Sequence, residues 1–387
     1  MYNILKLNEI SPVADKAFPA NYSTAKDCQN PAGIMLRSFN MHGYALPESV
    51  LAVARAGAGT NNIPIDKYTP KGIVVFNTPG ANANAVKELT LCGLFLASRH
   101  VAEGIEWTAG LKGKGAEVAK LVETGKNNFV GPELLGKKLG IVGLGAIGAQ
   151  VANAAVDLGM TVYGYDPFIS IDAAWSVSNS VVKETDLNNL CKECDYISLH
   201  IPLNDKTKNL IDGEAIAKMK PGAAILNFSR GELVSSKDVL KALAADKLGR
   251  YVTDFPADEL IGAKGVICIP HLGASTPEAE DNCAYMAAKQ LVDYIENGNI
   301  TNSVNFPNCS LARTGKCRIT VMHLNIKSML VQMTDAISGA KINIPNMLSK
   351  SQGEYSYAMF ELDDDANAEV IGKLNAIKDI LRIRVIR

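Results

Sequence analysis

The chain has 387 residues, enough for two or three domains with separate cores. Its 39 basic and 40 acidic residues nearly cancel, which argues against a strongly charged nucleic-acid or membrane surface, and 47% hydrophobic content is ordinary for a globular protein. The opening MYNILKLNEI lacks the basic region and apolar core of a signal peptide, and no apolar run is long enough to span a bilayer, so a cytoplasmic location is expected. Eight scattered cysteines fit a reducing compartment better than a disulfide framework. Cys191 and Cys194 form a C-x-x-C, but no second pair or nearby histidine completes a metal set. A structural pair of thiols, rather than a zinc or redox site, is the expectation, and no metal site is predicted.

In chain order, residues 1–97 alternate short apolar runs with helical stretches. Gly33–Leu36 (GIML), Val50–Ala54 with Arg55, and Gly72–Phe76 (GIVVF) read as parallel strands. Their ends carry Arg37 and Ser38, then RAGAGTNN (Arg55 to Asn62), then NTPGANANAVKEL (Asn77 to Leu89). Ligands gather at the carboxyl ends of such strands. Gly57 and Gly59 would expose backbone N–H groups there, and Arg37 and Arg55 either hold an anion or are ordinary surface arginines. From Arg99 to Lys138 a Gly- and Lys-rich stretch with Trp107 predicts a surface helix or arm.

Leu139 to Pro167, LGIVGLGAIGAQVANAAVDLGMTVYGYDP, is the most informative stretch. A buried strand, Leu139 to Val142, leads into Gly143, Gly145 and Gly148 at G-x-G-x-x-G spacing. A helix to Gly159 and a second strand, Thr161 to Tyr165, end at Asp166. Gly143 allows the tight turn, Gly145 a close approach to a pyrophosphate, and Gly148 close packing of helix on strand. The helix N-terminus offers N–H groups to phosphates. Asp166 suits two ribose hydroxyls and would repel the extra phosphate of NADP. These parts in register predict a Rossmann-like, NAD-binding domain. Strands in DYISLHIP, AAILNFS, GRYVTDF and VICIP continue the alternation to Ser275, and the helix Thr276–Asn297 has no sheet of its own.

Beyond Arg313 the order changes to βαββαβ, a ferredoxin-like arrangement suited to binding or regulation. The expected architecture is therefore α/β: two doubly wound parallel-sheet domains, Rossmann-like or flavodoxin-like, followed by a ferredoxin-like module. The expected boundaries are 1–97 with 276–304, 98–275, and 313–387.

Three polar groups stand at strand ends in the second half: Arg230 in NFSRGELV, Glu259 in DFPADEL, and His271 in PHLGAST. Oxidising an alcohol needs a base for the hydroxyl proton, and histidine titrates near working pH. A carboxylate can fix the imidazole tautomer, and an arginine can grip a substrate carboxylate bidentately. The competing reading of Arg230 and Glu259 is a surface ion pair. Asp254 is the rival acid, better placed near a nicotinamide, while His200 in HIP suits backbone shape and packing near the adenosine.

The segments RAGAGTNN, NTPGANANAVKEL, GLGAIG, YDP, HIPL, NFSRGELV and PHLGAST resemble, in order, those of the D-isomer-specific 2-hydroxyacid dehydrogenase family. The resemblance implies that His271 is the acid/base, Glu259 its partner, and Arg230 a substrate ligand. It implies NAD contacts at Thr78, Gly143, Gly145, Ala146, Ile147, Gly148, Asp166, His200, Ile201, Pro202, Phe228, Ser229, Arg230, Asp254, His271, Gly273 and Ala274. Arg37, Ser38, Arg55, Gly57 and Asn77 would face the substrate, with a cationic pair suited to a phosphate. The implied reaction is oxidation of 3-phosphoglycerate to 3-phosphohydroxypyruvate, which enters serine synthesis, by a homodimer or homotetramer. Glyoxylate, hydroxypyruvate or lactate chemistry, or a dinucleotide-sensing regulator without turnover, are the alternatives. The C-terminal module resembles an ACT domain that binds an amino-acid effector, but the usual H-x-N-x-P-G ends here in Lys327 and Ser328.

Overall fold

The computed structural model describes residues 1–387 and separates into two compact units, Met1–Asn82 with Pro277–Arg387, and Ala83–Thr276. The first unit opens with five strands: β1 (Tyr2–Lys6), β2 (Tyr22–Ala25), β3 (Gly33–Leu36), β4 (Ala52–Arg55) and β5 (Val74–Phe76). They form an all-parallel sheet in the order β2-β1-β3-β4-β5, the flavodoxin-like arrangement. Successive residues point to opposite faces, so β1, β3, β4 and β5 each feed two cores. Ile4, Met35, Ala54 and Phe76 pack with the long helix Pro277–Asn297, while Leu5, Ile34, Val53 and Val75 build the other core. Burial on both faces explains why GIML and VVF read as unbroken apolar runs.

The second unit holds seven parallel strands: β6 (Lys138–Val142), β7 (Thr161–Tyr165), β8 (Val182–Glu184), β9 (Tyr196–Leu199), β10 (Ala223–Asn227), β11 (Leu248–Thr253) and β12 (Val266–Cys268). Their order is β12-β11-β10-β9-β6-β7-β8, so the chain reverses direction beside β6, where open α/β sheets place their ligands. The helix Ala83–Ser98 belongs to this unit, not to the first as the expected boundary near residue 97 had it. The reason is packing: a side chain at Gly93 would meet the ring of Phe228 at 2.7 Å, so the helix lies directly on β10. Cys191 and Cys194 sit in the core, where burial pushes their thiols up to about 11 and about 12. Thiols so hard to ionise are inert packing groups. The stretch 99–138 folds as the helices Val101–Ala109 and Val118–Gly125, with Trp107 against Phe129 at 5.4 Å between ring centroids.

The last strands are β13 (Cys317–Leu324), β14 (Asn346–Gln352), β15 (Tyr355–Leu362) and β16 (Ile380–Ile386), antiparallel in the order β14-β15-β13-β16. With the helices Met329–Ser338 and Ala368–Asn375 they complete the expected βαββαβ fold. This module does not stand apart as a third compact unit, as a 313–387 domain would. One face of its sheet, through Ile319, Val321 and Phe360, covers its own helices. The other, through Met322, Tyr357 and Met359, joins the core containing Phe76 and Tyr294. Arg384 adds hydrogen bonds to the carbonyls of Tyr294 (2.9 Å) and Ile295 (2.7 Å). No helix in the molecule is long and apolar enough to cross a membrane.

Candidate functional site

The glycine loop after β6 meets the steric requirements read from its spacing. Gly143 has φ +92°, and a Cβ there would stand 2.5 Å from the carbonyl oxygen of His200. A Cβ on Gly148 would collide with the carbonyl oxygen of Gly143, so only glycine lets the helix Ala146–Asp157 start this close to β6. Over Gly145 there is nothing within 4 Å, and the helix begins without a side-chain cap. Free N–H groups with open space above them suit a pyrophosphate, and Ala146 and Ile147 form the first helical turn under that space. Asp166, at the end of β7, accepts hydrogen bonds from the N–H of Leu144 and of Phe168, both 2.9 Å. These bonds orient its carboxylate beside the loop and leave each oxygen a lone pair for a ribose hydroxyl. The Gly148→Ala variant is expected to lose about 1–3 kcal/mol of stability by overpacking. A lowered urea midpoint would show it; an unchanged midpoint would mean the loop yields without strain.

At the end of β9, His200 is positioned by structure, not poised for proton transfer. One ring nitrogen contacts Ser198 Oγ at 2.9 Å, the other is buried without a partner, and burial lowers its pKa to about 4. A neutral ring supports the reading of HIP as shape and packing; Ile201 packs into the core beside it and Pro202 is exposed.

Beyond β10, Phe228 is buried and Ser229 Oγ donates to the carbonyl of Leu199 at 2.6 Å. Arg230 follows on extended backbone, its guanidinium donating to the carbonyl of Ser229 at 2.6 Å. Asn227 holds this turn: its amide nitrogen donates to Arg230 O at 2.8 Å and its side-chain oxygen accepts the Ser229 N–H at 3.2 Å. Sequence reasoning passed over Asn227. Its signal was a fully buried amide closing the otherwise apolar AAILN.

Asp254 and His271 come together beyond β11 and β12. Asp254 is fully buried; one oxygen accepts the Gly273 N–H at 3.1 Å and the other has no partner. Burial raises its pKa, opposed by the Gly273 N–H and by the nearby charges of His271 and Arg230. His271 is exposed, its ring tilted against Phe255 at 4.6 Å between centroids. Ala274 continues that turn, half-buried. A cavity of about 390 Å³ is lined by Glu232, Asp254, Phe255, Leu260 and His271. Glu259 does not line it: the residue is exposed on the turn beyond β11, and no hydrogen bond or ion pair joins it to His271. Asp254, in contrast, lines the cavity together with His271.

In the first unit, Arg37, Ser38, Arg55, Gly57, Asn77 and Thr78 all lie at or just beyond the ends of β3, β4 or β5. Asn62 ties the Arg37 and Arg55 turns together, although only its motif stood out in the sequence. Its amide nitrogen donates to the carbonyls of Arg37 (3.1 Å) and Phe39 (2.7 Å), and its side-chain oxygen accepts from Arg55 Nε at 3.2 Å. Gly57 has φ +151°, and a Cβ there would run into the Arg55 guanidinium. Asn77 donates to the carbonyl of Ala58 at 2.7 Å, Thr78 is buried with its N–H on Gly57 O at 3.1 Å, and Ser38 Oγ accepts from Asn8 at 3.4 Å.

Against known proteins, residues 94–273 match the family model described as "D-isomer specific 2-hydroxyacid dehydrogenase, NAD binding domain". A D-3-phosphoglycerate dehydrogenase of Methanocaldococcus jannaschii is 38% identical over 277 residues, covering 70% of this chain and 50% of the relative. The chain thus spans about half the length of that relative. The D-3-phosphoglycerate dehydrogenase of Escherichia coli K12 is 31% identical over 352 residues, covering 88% of this chain and 82% of the relative. Among solved structures, the NAD+-bound 3-phosphoglycerate dehydrogenase of Entamoeba histolytica superposes with a TM-score of 0.57 at 26% identity, covering 79% of this chain and 98% of that one. With a relative this similar across most of both chains, and with the parallel sheets and glycine loop described above, the chain belongs to the D-isomer-specific 2-hydroxyacid dehydrogenase family.

Proposed function

We propose that the protein is an NAD-dependent dehydrogenase that oxidises 3-phosphoglycerate to 3-phosphohydroxypyruvate at the entry to serine synthesis. The observation that carries the reading is the convergence of Arg230, Asp254 and His271 at strand ends in the unit that also holds the glycine loop and Asp166. NAD held by the loop, Asp166 and the residues after β9 and β10 supplies the hydride acceptor. His271 takes the C2 hydroxyl proton, and Arg230 grips the substrate carboxylate and polarises the developing carbonyl. Glu259 is assigned to support the imidazolium, with Asp254 as the competing carboxylate. Arg37 and Arg55, held together by Asn62, are assigned to the substrate phosphate, with Ser38, Gly57 and Asn77 around them. Thr78 is assigned to the cofactor.

The remaining assignments are a cytoplasmic homodimer or homotetramer and an amino-acid effector at the C-terminal module. In that module Ser328 takes φ +67°, so the loop keeps a left-handed residue where the ACT pattern has glycine. NADH formation should be seen with 3-phosphoglycerate and be at least about 100-fold weaker, in kcat/KM, with unphosphorylated 2-hydroxy acids, since a desolvated ionic anchor commonly contributes about 3 kcal/mol. Equal turnover would remove the phosphate assignment, and no turnover on any of them would remove the enzyme.

A further inference from the structure

Arg37 is not presented bare to a ligand. Its guanidinium forms an ion pair with Glu280, a residue in the first turn of the helix Pro277–Asn297. First-turn acids stabilise a helix through its dipole whatever else they do; Glu278 shares that turn, and Asp281 follows directly after it. Their surroundings differ. Asp281 accepts from the Ser11 hydroxyl, Glu278 has no hydrogen-bond or ion-pair partner, and Glu280 alone of the three reaches an arginine. One turn on, Cys283 places the charges: burial pushes its thiol up, Arg37 and Arg55 pull it back, and Glu280 pushes it up again. Arg37, Arg55 and Glu280 thus all lie close enough to Cys283 to act on it, and Glu280 is paired with Arg37. The Glu280 side chain is 47% exposed, so it can leave Arg37 for water without breaking the core.

We propose that Glu280 is an internal competitor for Arg37, occupying the guanidinium until a phosphate group displaces it and so setting how tightly phosphorylated substrate and product are held. The inference rests on the phosphate assignment made above. Its logic is that of any site only partly available: apparent affinity falls by the fraction of molecules in which Arg37 is free. An ion pair this exposed is weak enough to exchange and strong enough to matter, shifting occupancy by a few-fold. Every ligand that needs Arg37 should be penalised by the same factor. Ligands without an anionic end there should be spared.

The test compares wild type with Glu280→Gln, with Glu278→Gln as a control for the shared helix turn. Removing the competitor is expected to lower KM for 3-phosphoglycerate about threefold to tenfold, and the inhibition constant of inorganic phosphate by the same factor. KM for unphosphorylated hydroxy acids should move less than twofold, and Glu278→Gln should change none of these. A KM that rises or stays put in Glu280→Gln would overturn the proposal, because Glu280 would then be holding Arg37 in place for the substrate. Calorimetric titration with inorganic phosphate separates this result from failure of the functional reading. If wild type turns over no hydroxy acid yet phosphate binds more tightly to Glu280→Gln and is lost in Arg37→Gln, the competitor stands and the reaction assignment falls. If phosphate binds neither wild type nor Glu280→Gln, the competitor falls.

Discussion

Replacing His271 with alanine should lower kcat for oxidation of the hydroxy acid by about 10²- to 10⁴-fold, the usual contribution of a positioned general base. NADH affinity should stay within a few-fold, because His271 is exposed at its strand end and the glycine loop and Asp166 do not depend on its side chain. Stopped-flow turnover paired with a fluorescence titration of NADH checks both halves. Comparable losses in turnover and cofactor affinity would demote His271 from proton acceptor to cofactor contact.

The same experiment extends to the carboxylates. Glu259 and Asp254 make different predictions for the pH profile of kcat/KM in the oxidative direction, which rises as the base loses its proton. A carboxylate beside the imidazolium favours the protonated ring, so deleting it should move the rising limb to lower pH. Whichever of Glu259→Gln and Asp254→Asn moves that limb identifies the partner. Asp254 carries a second signature. Its burial raises its pKa, so ionising it weighs against the fold as pH climbs from its unfolded value through the higher folded one. Asp254→Asn removes that penalty while keeping an oxygen for the Gly273 N–H, and should be at least as stable as wild type at neutral pH even where it is less active.

What the sequence disclosed, and what it withheld, follows from how far each feature reaches along the chain. The glycine loop and the runs GIML and LGIV were legible because turn chemistry and burial on both sheet faces are local properties. β1, β2 and β8, with sequences YNILK, YSTA and VKE, were not read as strands, since each is short and mixes polar residues into its run. The boundary at Asn82 was hidden for another reason: the helix Ala83–Ser98 has no mark of its own, and its unit is decided by contact with Phe228 far downstream. Arg37 was legible as a cation at a strand end, but the acid that meets it lies on the other side of the second unit in sequence. Asn62 and Asn227 were invisible as organisers because their work is to hydrogen-bond backbone carbonyls and amides that only the folded turns bring within reach.

The C-terminal module offers the second large effect, at Arg318 and Glu361. Both side chains are completely buried and form an ion pair between β13 and β15. Glu361 also accepts the N–H groups of Thr314 and Gly315, each at 2.8 Å, and Arg318 donates to the carbonyls of Leu311 (2.7 Å) and Asn297. The pair therefore ties the module to the end of the long helix and to the segment that leads out of it. Removing one partner strands the other charge without solvent, so Glu361→Gln or Arg318→Met should each cost about 3–5 kcal/mol, read as a lowered urea midpoint for the unit. The double replacement Arg318→Met with Glu361→Leu should recover much of that loss, since an apolar pair needs no compensation. Acid supplies an independent check. Burial alone would raise the Glu361 carboxyl, but the two N–H donors and Arg318 hold it below its ordinary 4.5. A depressed folded value means the stabilisation is complete above the unfolded pKa and drains away as pH falls through the folded one. Wild type should lose stability on that acid limb, while Glu361→Gln, with no carboxyl left to protonate, should show a shallower one. Equal slopes in the two proteins would show that other carboxylates govern the acid response and that the pair contributes little.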